Sequence, residues 1–323
     1  MNAFRTDLDI TPSSIKINLQ DRVLLIGSCF TNNIGDQLVR NKFSALVNPL
    51  GTIFNPLSIN KLLCSSLGDR AKIEEGYGIN GDIHFHYDFH SQFSSTDKNQ
   101  LETKIAESLN KTADFIKSTK WLIITWGTAF VYENLNNKDI VANCHKMPAS
   151  NFNKRLLTQE EIVTDFEKLI SQLPADIQII LTISPVRHTK DTIELNSVSK
   201  SVLRLSSHVL KNSYSNVHYF PSFEIMMDDL RDYRFYASDM LHPNDVAIDF
   251  IWDKFLSTYF DETTKEFLVE WKKISNSLKH RPFNPTSADH QKFLIDIKDA
   301  LNKLSAQVDV KEELKIINQQ LNN

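Results

Sequence analysis

Arg22-Val23-Leu24-Leu25-Ile26-Gly27-Ser28-Cys29-Phe30 decides how this chain reads. Val23 to Ile26 is an unbroken apolar run, short enough for a strand buried on both faces. Gly27 permits a tight turn at its end. Residues from about Thr31 to Arg40 then carry helical spacing. A strand turning sharply into a helix is the opening unit of an open α/β sheet, and ligands bind at the carboxyl edge of such sheets. The Ser28 hydroxyl would stand at that edge beside a helix N-terminus. There the helix dipole favours the negative charge that develops in acyl transfer. The plainer reading of Ser28 is a helix cap. Cys29 is a second candidate nucleophile. The tightness of the turn and the inertness of most buried thiols count against it.

Outward from this unit, Trp121–Trp126, Ile177–Ile183 and Val217–Phe220 predict further buried strands, the last two stopped by Pro185 and Pro221. Helical spacing covers about 58–67, 97–117, 158–173, 191–212 and 245–259. The 191–212 helix is read through Ile193, Val198, Val202, Leu203 and Leu210. Strands alternating with helices predict the α/β class, with a mainly parallel sheet covered on both faces. Residues 1–20 read as an irregular lead-in, and 69–96 as loop with short extended pieces. After about Asp261 the character changes, which divides the chain into a main domain over 1–260 and a C-terminal helical extension over 261–323. Val269, Trp271 and Ile274 belong to a helix there, and Arg281-Pro282-Phe283-Asn284-Pro285-Thr286 reads as a linker. Leu294, Ile297, Leu301, Leu304 and Val308 recur at three- and four-residue steps. That stripe is either packed on the main domain or a homodimer contact.

The chain has 323 residues, 41% hydrophobic and 24% charged, the balance of a soluble globular protein. A formal net charge of -4 argues against a nucleic-acid partner. No apolar run approaches the roughly 20 residues that span a bilayer, and no leader pattern opens the sequence, so no membrane association is expected. Three cysteines are too few for a disulfide framework and predict a reducing cytoplasm. Glycine is scarce, at 8 residues, so Gly27, Gly51 and Gly127 are read as turns beside a site.

Far downstream, Ser238-Asp239-Met240-Leu241-His242-Pro243-Asn244 places an acid three residues before a histidine. Pro243 suits the first turn of the 245–259 helix. A serine is a weak nucleophile until a base takes its proton, and the base works best with a third group fixing its tautomer. Asp239 would orient His242 in that way. His145 and His188, in loops after the second and third predicted strands, are rival bases. In the same loops Asn143 could donate to an oxyanion, and Lys146 or Arg187 could hold a carboxylate. His84, His86, Asp88 and His90 would share one face of a strand and could hold a divalent metal. A half-buried strand with a polar outer face gives the same alternation, and no metal is expected. Glu224, Asp228, Asp229 and Asp232 read as a solvated helix face.

Gly27-Ser28-Cys29-Phe30 resembles the signature of the GSCFA-domain family, grouped with the SGNH (GDSL-like) hydrolases. Asn55-Pro56-Leu57-Ser58-Ile59, Asp88-Phe89-His90-Ser91, Thr125 to Tyr132, Asn143 to Lys146, Ser184 to His188 and Leu230 to Tyr236 agree with it in order, over about residues 20–260. The resemblance implies a three-layer α/β/α sandwich. It also implies a serine nucleophile in the first block and an Asp-x-x-His pair in the last, which map onto Ser28, Asp239 and His242. The superfamily usually draws an oxyanion donor from an Asn shortly after a Gly, but here the chain reads Gly127-Thr128-Ala129-Phe130. Asn55, Thr128, Asn143 and the backbone N–H groups of Ser28 and Gly51 are the candidate replacements. His90 is a candidate to line the pocket. The expected function is a serine esterase acting on an O-acyl ester, on the superfamily's pattern an acylated carbohydrate, with no metal or organic cofactor. Two alternatives stand beside it: an O-acyltransferase using the same triad, and a non-catalytic carbohydrate- or ligand-binding module of the same fold.

Overall fold

The computed structural model describes residues 7–280 and 282–322. Strand β1 (Arg22–Gly27) feeds helix α1 (Phe30–Arg40), which turns Phe30, Ile34 and Leu38 inward. Strand β2 (Ser44–Val47) and helix α2 (Pro56–Ser66) follow, the helix capped by Asn55. A first insertion carries β3 (Tyr77–Asn80), β4 (Ile83–His86) and β5 (Ser94–Ser95). Helix α3 (Lys98–Ile116), capped by Asp97, leads to β6 (Trp121–Trp126). A second insertion carries β7 (Phe130–Asn134), β8 (Ile140–Val141) and β9 (Phe152–Leu156). Helix α4 (Gln159–Ile170) opens on a reciprocal cap between Thr158 and Glu161. Then come β10 (Gln178–Ile183), α5 (Ile193–Ser213) and β11 (Val217–Phe220). The chain ends with α6 (Ser222–Glu224), α7 (Asp245–Tyr259), α8 (Glu262–Leu278), α9 (Ala288–Leu304) and α10 (Lys311–Leu321).

The main sheet is parallel, in the order β11-β10-β6-β1-β2. Its central strands are apolar on both faces because helices cover both. Val23 and Leu25 pack with residues of α1 and α7, while Leu24 and Ile26 pack with residues of α2 to α5. This is the three-layer α/β/α arrangement expected from the alternation. The register sets Gly27 beside Thr125 and Thr182 beside Thr125 on the other side, so β1, β6 and β10 end at one level. The residues just beyond those ends build the site.

Helices α8 to α10 share the α1–α7 core. Phe267, Trp271, Leu294, Ile297, Leu301 and Leu304 are buried in it, and Trp271 Nε1 donates to Arg40 O at 2.8 Å. The Leu294–Leu304 stripe, one reading of which was a dimer seam, is thus covered by the chain itself. Among the described residues no helix is long and apolar enough to cross a membrane.

Several local expectations need correction. The edge strand β2 and the sheet β8-β7-β9 lie where the sequence predicts no strand, while β3-β4-β5 joins the short extended pieces expected in 69–96 into a sheet. They are short and half-exposed, so their apolar runs are weak. Helix α5 buries a stripe of Asn196, Ser199, Lys200, Leu203, Ser206, Ser207 and Leu210. Ile193 and Val198, expected on that face, are exposed. Pro243 precedes the true cap of α7, Asn244, whose side chain accepts from Ala247 N at 3.1 Å. The acidic run forms a π-helical turn over Ile225–Asp229 with Asp229 buried, and Glu224 accepts from Arg204 and Tyr219. Residues 1–6 of the lead-in and Arg281 of the linker lie outside the described residues.

Candidate active site

Gly27 ends β1 at φ +141°, a backbone region closed to other residues, and a Cβ there would fall 2.2 Å from Thr125 O. This close approach carries the sheet pairing one residue past the strand. The Ser28 N–H donates to Thr125 O at 3.1 Å, and the Ser28 side chain is fully buried. Its hydroxyl has no hydrogen-bond partner among the described residues. The Ser28 carbonyl accepts the Thr31 N–H at 2.9 Å as the chain enters α1. Cys29, in helical conformation just before α1, makes no side-chain cap bond, and its Sγ stands 3.5 Å from His242 Nε2. The expectation from sequence puts Ser28 at the histidine; among the described residues Ser28 makes no hydrogen bond to it, and the side chain within reach of His242 Nε2 is that of Cys29.

His242 is held by its own loop. Asp239 Oδ1 accepts the N–H groups of Leu241 at 2.9 Å and His242 at 3.0 Å, and its Oδ2 lies 2.6 Å from His242 Nδ1. Met240 takes φ +59° to make the turn, and the Ala237 N–H closes the loop on His242 O at 2.8 Å. These bonds, the His242 N–H first, draw the Asp239 carboxyl down to about 2. The carboxylate then fixes the imidazole with Nδ1–H toward itself and Nε2 open toward the sulfur. Arg187 buttresses this loop from the end of β10. Its N–H donates to Leu241 O at 3.2 Å, and its guanidinium lies 4.1 Å over the Tyr236 ring and 5.2 Å from that of Tyr233.

Burial pushes the Cys29 thiol above its ordinary range. The N–H groups of Phe30 and of Cys29 itself, which face the sulfur at the start of α1, pull the other way, as does Lys200, while Asp239 adds to the rise. Lys200 went unnoticed in the sequence. It is buried, and its Nζ donates to Gly127 O at 2.7 Å and Ser184 O at 2.8 Å. Its signal was its place on the helical stripe 196-199/200-203-206/207-210, which a count of apolar residues alone does not reveal. His188 lies in the same neighbourhood. Burial, then Lys200, then His242 hold it down to about 4. Its N–H donates to Asn196 Oδ1 at 2.9 Å, and its Nε2 has no partner among the described residues.

The other candidates serve local structure. Asn55 accepts the Ser58 N–H at 2.8 Å and donates to Ser58 Oγ at 3.0 Å. Thr128 Oγ1 accepts the Phe130 N–H and pairs with Ser199 Oγ, both at 3.0 Å. Asn143 Oδ1 accepts the His145 N–H at 2.8 Å. His145 Nε2 sits between His86 O and Phe89 O, at 2.9 and 3.1 Å, with its ring stacked on Phe85. The Gly51 N–H donates to Asn48 O at 2.9 Å, so it and Ser28 N–H are both occupied and neither is an open oxyanion donor. Gly51 packs against His90, whose Nδ1 accepts the Gln92 N–H at 3.3 Å.

The alternating segment 84–90 is not one strand face. Strand β4 ends at His86, whose Nε2 lies 2.6 Å from Ile73 O and whose Nδ1 accepts the Asp88 N–H. Asp88 pairs with Lys61 at 2.7 Å. Among the described residues no three His, Cys, Asp or Glu side chains are grouped to hold a metal.

No curated protein matches the chain. A solved structure from Streptococcus pneumonia, put forward as a platelet activating factor, aligns at 12% identity with a TM-score of 0.37, over 77% of this chain and 84% of that one. The GSCFA family model matches residues 22–255, which span the whole sheet and the Cys29, Asp239 and His242 segments. The model of the C-terminal domain of GSCFA domain proteins matches residues 271–323, through α8 to α10. With more than half of its length under the first of these, the chain belongs to the GSCFA family.

Proposed function

We propose that this protein is an acyl-ester hydrolase in which Cys29 is the nucleophile, His242 the general base and Asp239 the residue that orients it. One observation carries the reading: Cys29 Sγ lies 3.5 Å from His242 Nε2 while Asp239 Oδ2 holds the opposite ring nitrogen at 2.6 Å. Nucleophile, base and orienter in that order are the constellation of covalent acyl transfer. The reaction class expected from the sequence is kept, and the nucleophile moves from Ser28 to Cys29.

Because burial raises the thiol, its proton leaves during attack rather than before it. Sγ bonds to the ester carbonyl carbon as Nε2 takes the thiol proton, and the carbonyl electrons move onto oxygen. The N–H groups of Cys29 and Phe30, at the positive end of α1, stabilise that oxyanion. The intermediate collapses to a thioester, and the imidazolium returns its proton to the departing alcohol. Water then attacks the thioester with His242 again as base, which releases the acid and restores the thiol. A thiol nucleophile fits a reducing compartment, in line with the expected cytoplasm.

The test is turnover of a small chromogenic O-acetyl ester by the wild type, Cys29→Ala and Ser28→Ala. The reading expects loss of activity in Cys29→Ala and near-normal turnover in Ser28→Ala. The reverse pattern would return the nucleophile to Ser28.

A further inference from the structure

His242 stands on a short hairpin loop. The Ala237 N–H donates to His242 O at 2.8 Å and the Asn244 N–H to Phe235 O at 2.9 Å, which sets Tyr236 opposite Pro243. Arg187 touches this hairpin on both of its arms. Its backbone N–H donates to Leu241 O, the residue before the histidine, at 3.2 Å. Its guanidinium covers the Tyr236 ring at 4.1 Å, and Tyr236 faces the residue after the histidine. The acids of this region are engaged elsewhere. Asp239 turns both carboxylate oxygens to its own loop and to the imidazole, and Asp232 pairs with Arg234 at 3.1 Å. Arg155 and Arg204 also meet carboxylates, whereas no carboxylate among the described residues pairs with Arg187. Stacking uses the face of a guanidinium and leaves N–H groups in its plane to bind an oxyanion. Arg187 is half-buried, and Tyr233 beside it is 64% exposed, so the stacked cation lies at the open rim of the site.

On the reading of His242 as the base, we propose that Arg187 binds a carboxylate on the alcohol part of the ester, which makes the substrate class the O-acylated hydroxy acids. The alcohol leaves on the side of the imidazole, because His242 returns the proton to it. A group held from the His242 hairpin therefore belongs to the alcohol and not to the acyl chain. A guanidinium meets a planar carboxylate through two parallel N–H bonds, which fix orientation as well as charge. Lys146, the other cation expected from the sequence for this role, follows His145. The hydrogen bonds of that histidine go to His86 O and Phe89 O in the first insertion and not to the hairpin.

Hydrolysis of p-acetoxybenzoate and p-acetoxybenzamide tests this, since the two esters share acyl group and ring and differ in charge. Each rate is normalised to the alkaline hydrolysis of the same ester. The wild type should favour the carboxylate by about tenfold in kcat/KM, the scale of a charge-assisted contact. In Arg187→Gln the ratio should fall to about one. Arg187→Lys, which keeps the charge but not the fork, should fall between. A purely supporting arginine would lower both esters together and keep the ratio; that outcome overturns the proposal, as does a wild-type ratio near one. A second measurement needs no turnover and so does not depend on which residue is the nucleophile. The product p-hydroxybenzoate is titrated into Cys29→Ala and into Cys29→Ala/Arg187→Gln, with binding followed by ligand NMR. The first protein should bind it about tenfold more tightly. Equal affinities, or no binding to the first, would overturn the assignment. Should neither ester turn over, the hydrolase reading fails and this titration alone decides what Arg187 holds.

Discussion

Two groups of histidines in this molecule look alike in sequence and differ in what their nitrogens face. His242 is half-exposed, with one nitrogen on a carboxylate and the other on a thiol. His86 and His145 are buried, with ring nitrogens on backbone carbonyls and N–H groups. The first arrangement leaves a basic nitrogen beside a nucleophile. The second uses the ring to satisfy backbone groups that the short strands of an insertion leave unpaired. A histidine beside an acid in sequence says little. The partner of its second nitrogen decides between chemistry and architecture.

The sharpest way to break this contrast is at the two ends of the triad. Cys29→Ala and His242→Ala should each lower kcat/KM for an ester by about a thousandfold or more, with thermal stability nearly unchanged. Asp239→Asn should cost less than either, because the thiol and base remain in place while the tautomer is no longer enforced. The Asp239 carboxyl is depressed in the folded protein, so its contribution is full above the ordinary carboxyl value and fades as pH falls toward about 2. An activity profile that lost the Asp239 effect already at pH 5 would count against the loop geometry. His145→Ala should show the opposite split, with stability lower by about 2–4 kcal/mol and the catalytic constants of the folded fraction within a few-fold of wild type. His86 sharpens the same point through pH. Burial holds it down to about 4, so between that value and about 6.5 the unfolded chain binds the extra proton. Stability therefore rises with pH across that window, and His86→Gln should flatten the slope in denaturant titrations. Ser28→Ala should have the smallest effect, under about threefold in kcat/KM, since its hydroxyl hydrogen-bonds to none of the triad.

The sheet was legible because its strands are apolar on both faces. Trp121–Trp126 and Val217–Phe220 match their predicted bounds, and the Asp97 cap fixes the start of α3 through chemistry visible in sequence, whereas α7 is capped by Asn244 and does not start at the proline that the sequence favours. Strand β2 was not legible, since a four-residue edge strand with half-exposed side chains has no distinct period. The Asp239–His242 pair was readable from spacing, and the contact across 213 residues that completes it was not. The choice between Ser28 and Cys29 depends on where the backbone leaves the sheet. Gly27's positive φ and the Ser28–Thr125 bond hold Ser28 against β6, and nothing in the local residue types records which side chain then faces His242. Lys200 was hidden by its neighbours. Among Ser197, Ser199 and Ser201 it reads as part of a solvated face, although its position falls on the buried stripe.

Trapping the acyl-enzyme tests the central claim most directly. The protein is mixed with an activated O-acyl ester, quenched in acid during turnover, digested and mapped by mass spectrometry. The account predicts the acyl mass on Cys29, cleaved by neutral hydroxylamine as a thioester and absent in Cys29→Ala. An acyl group on Ser28, or steady turnover by Cys29→Ala, would contradict it.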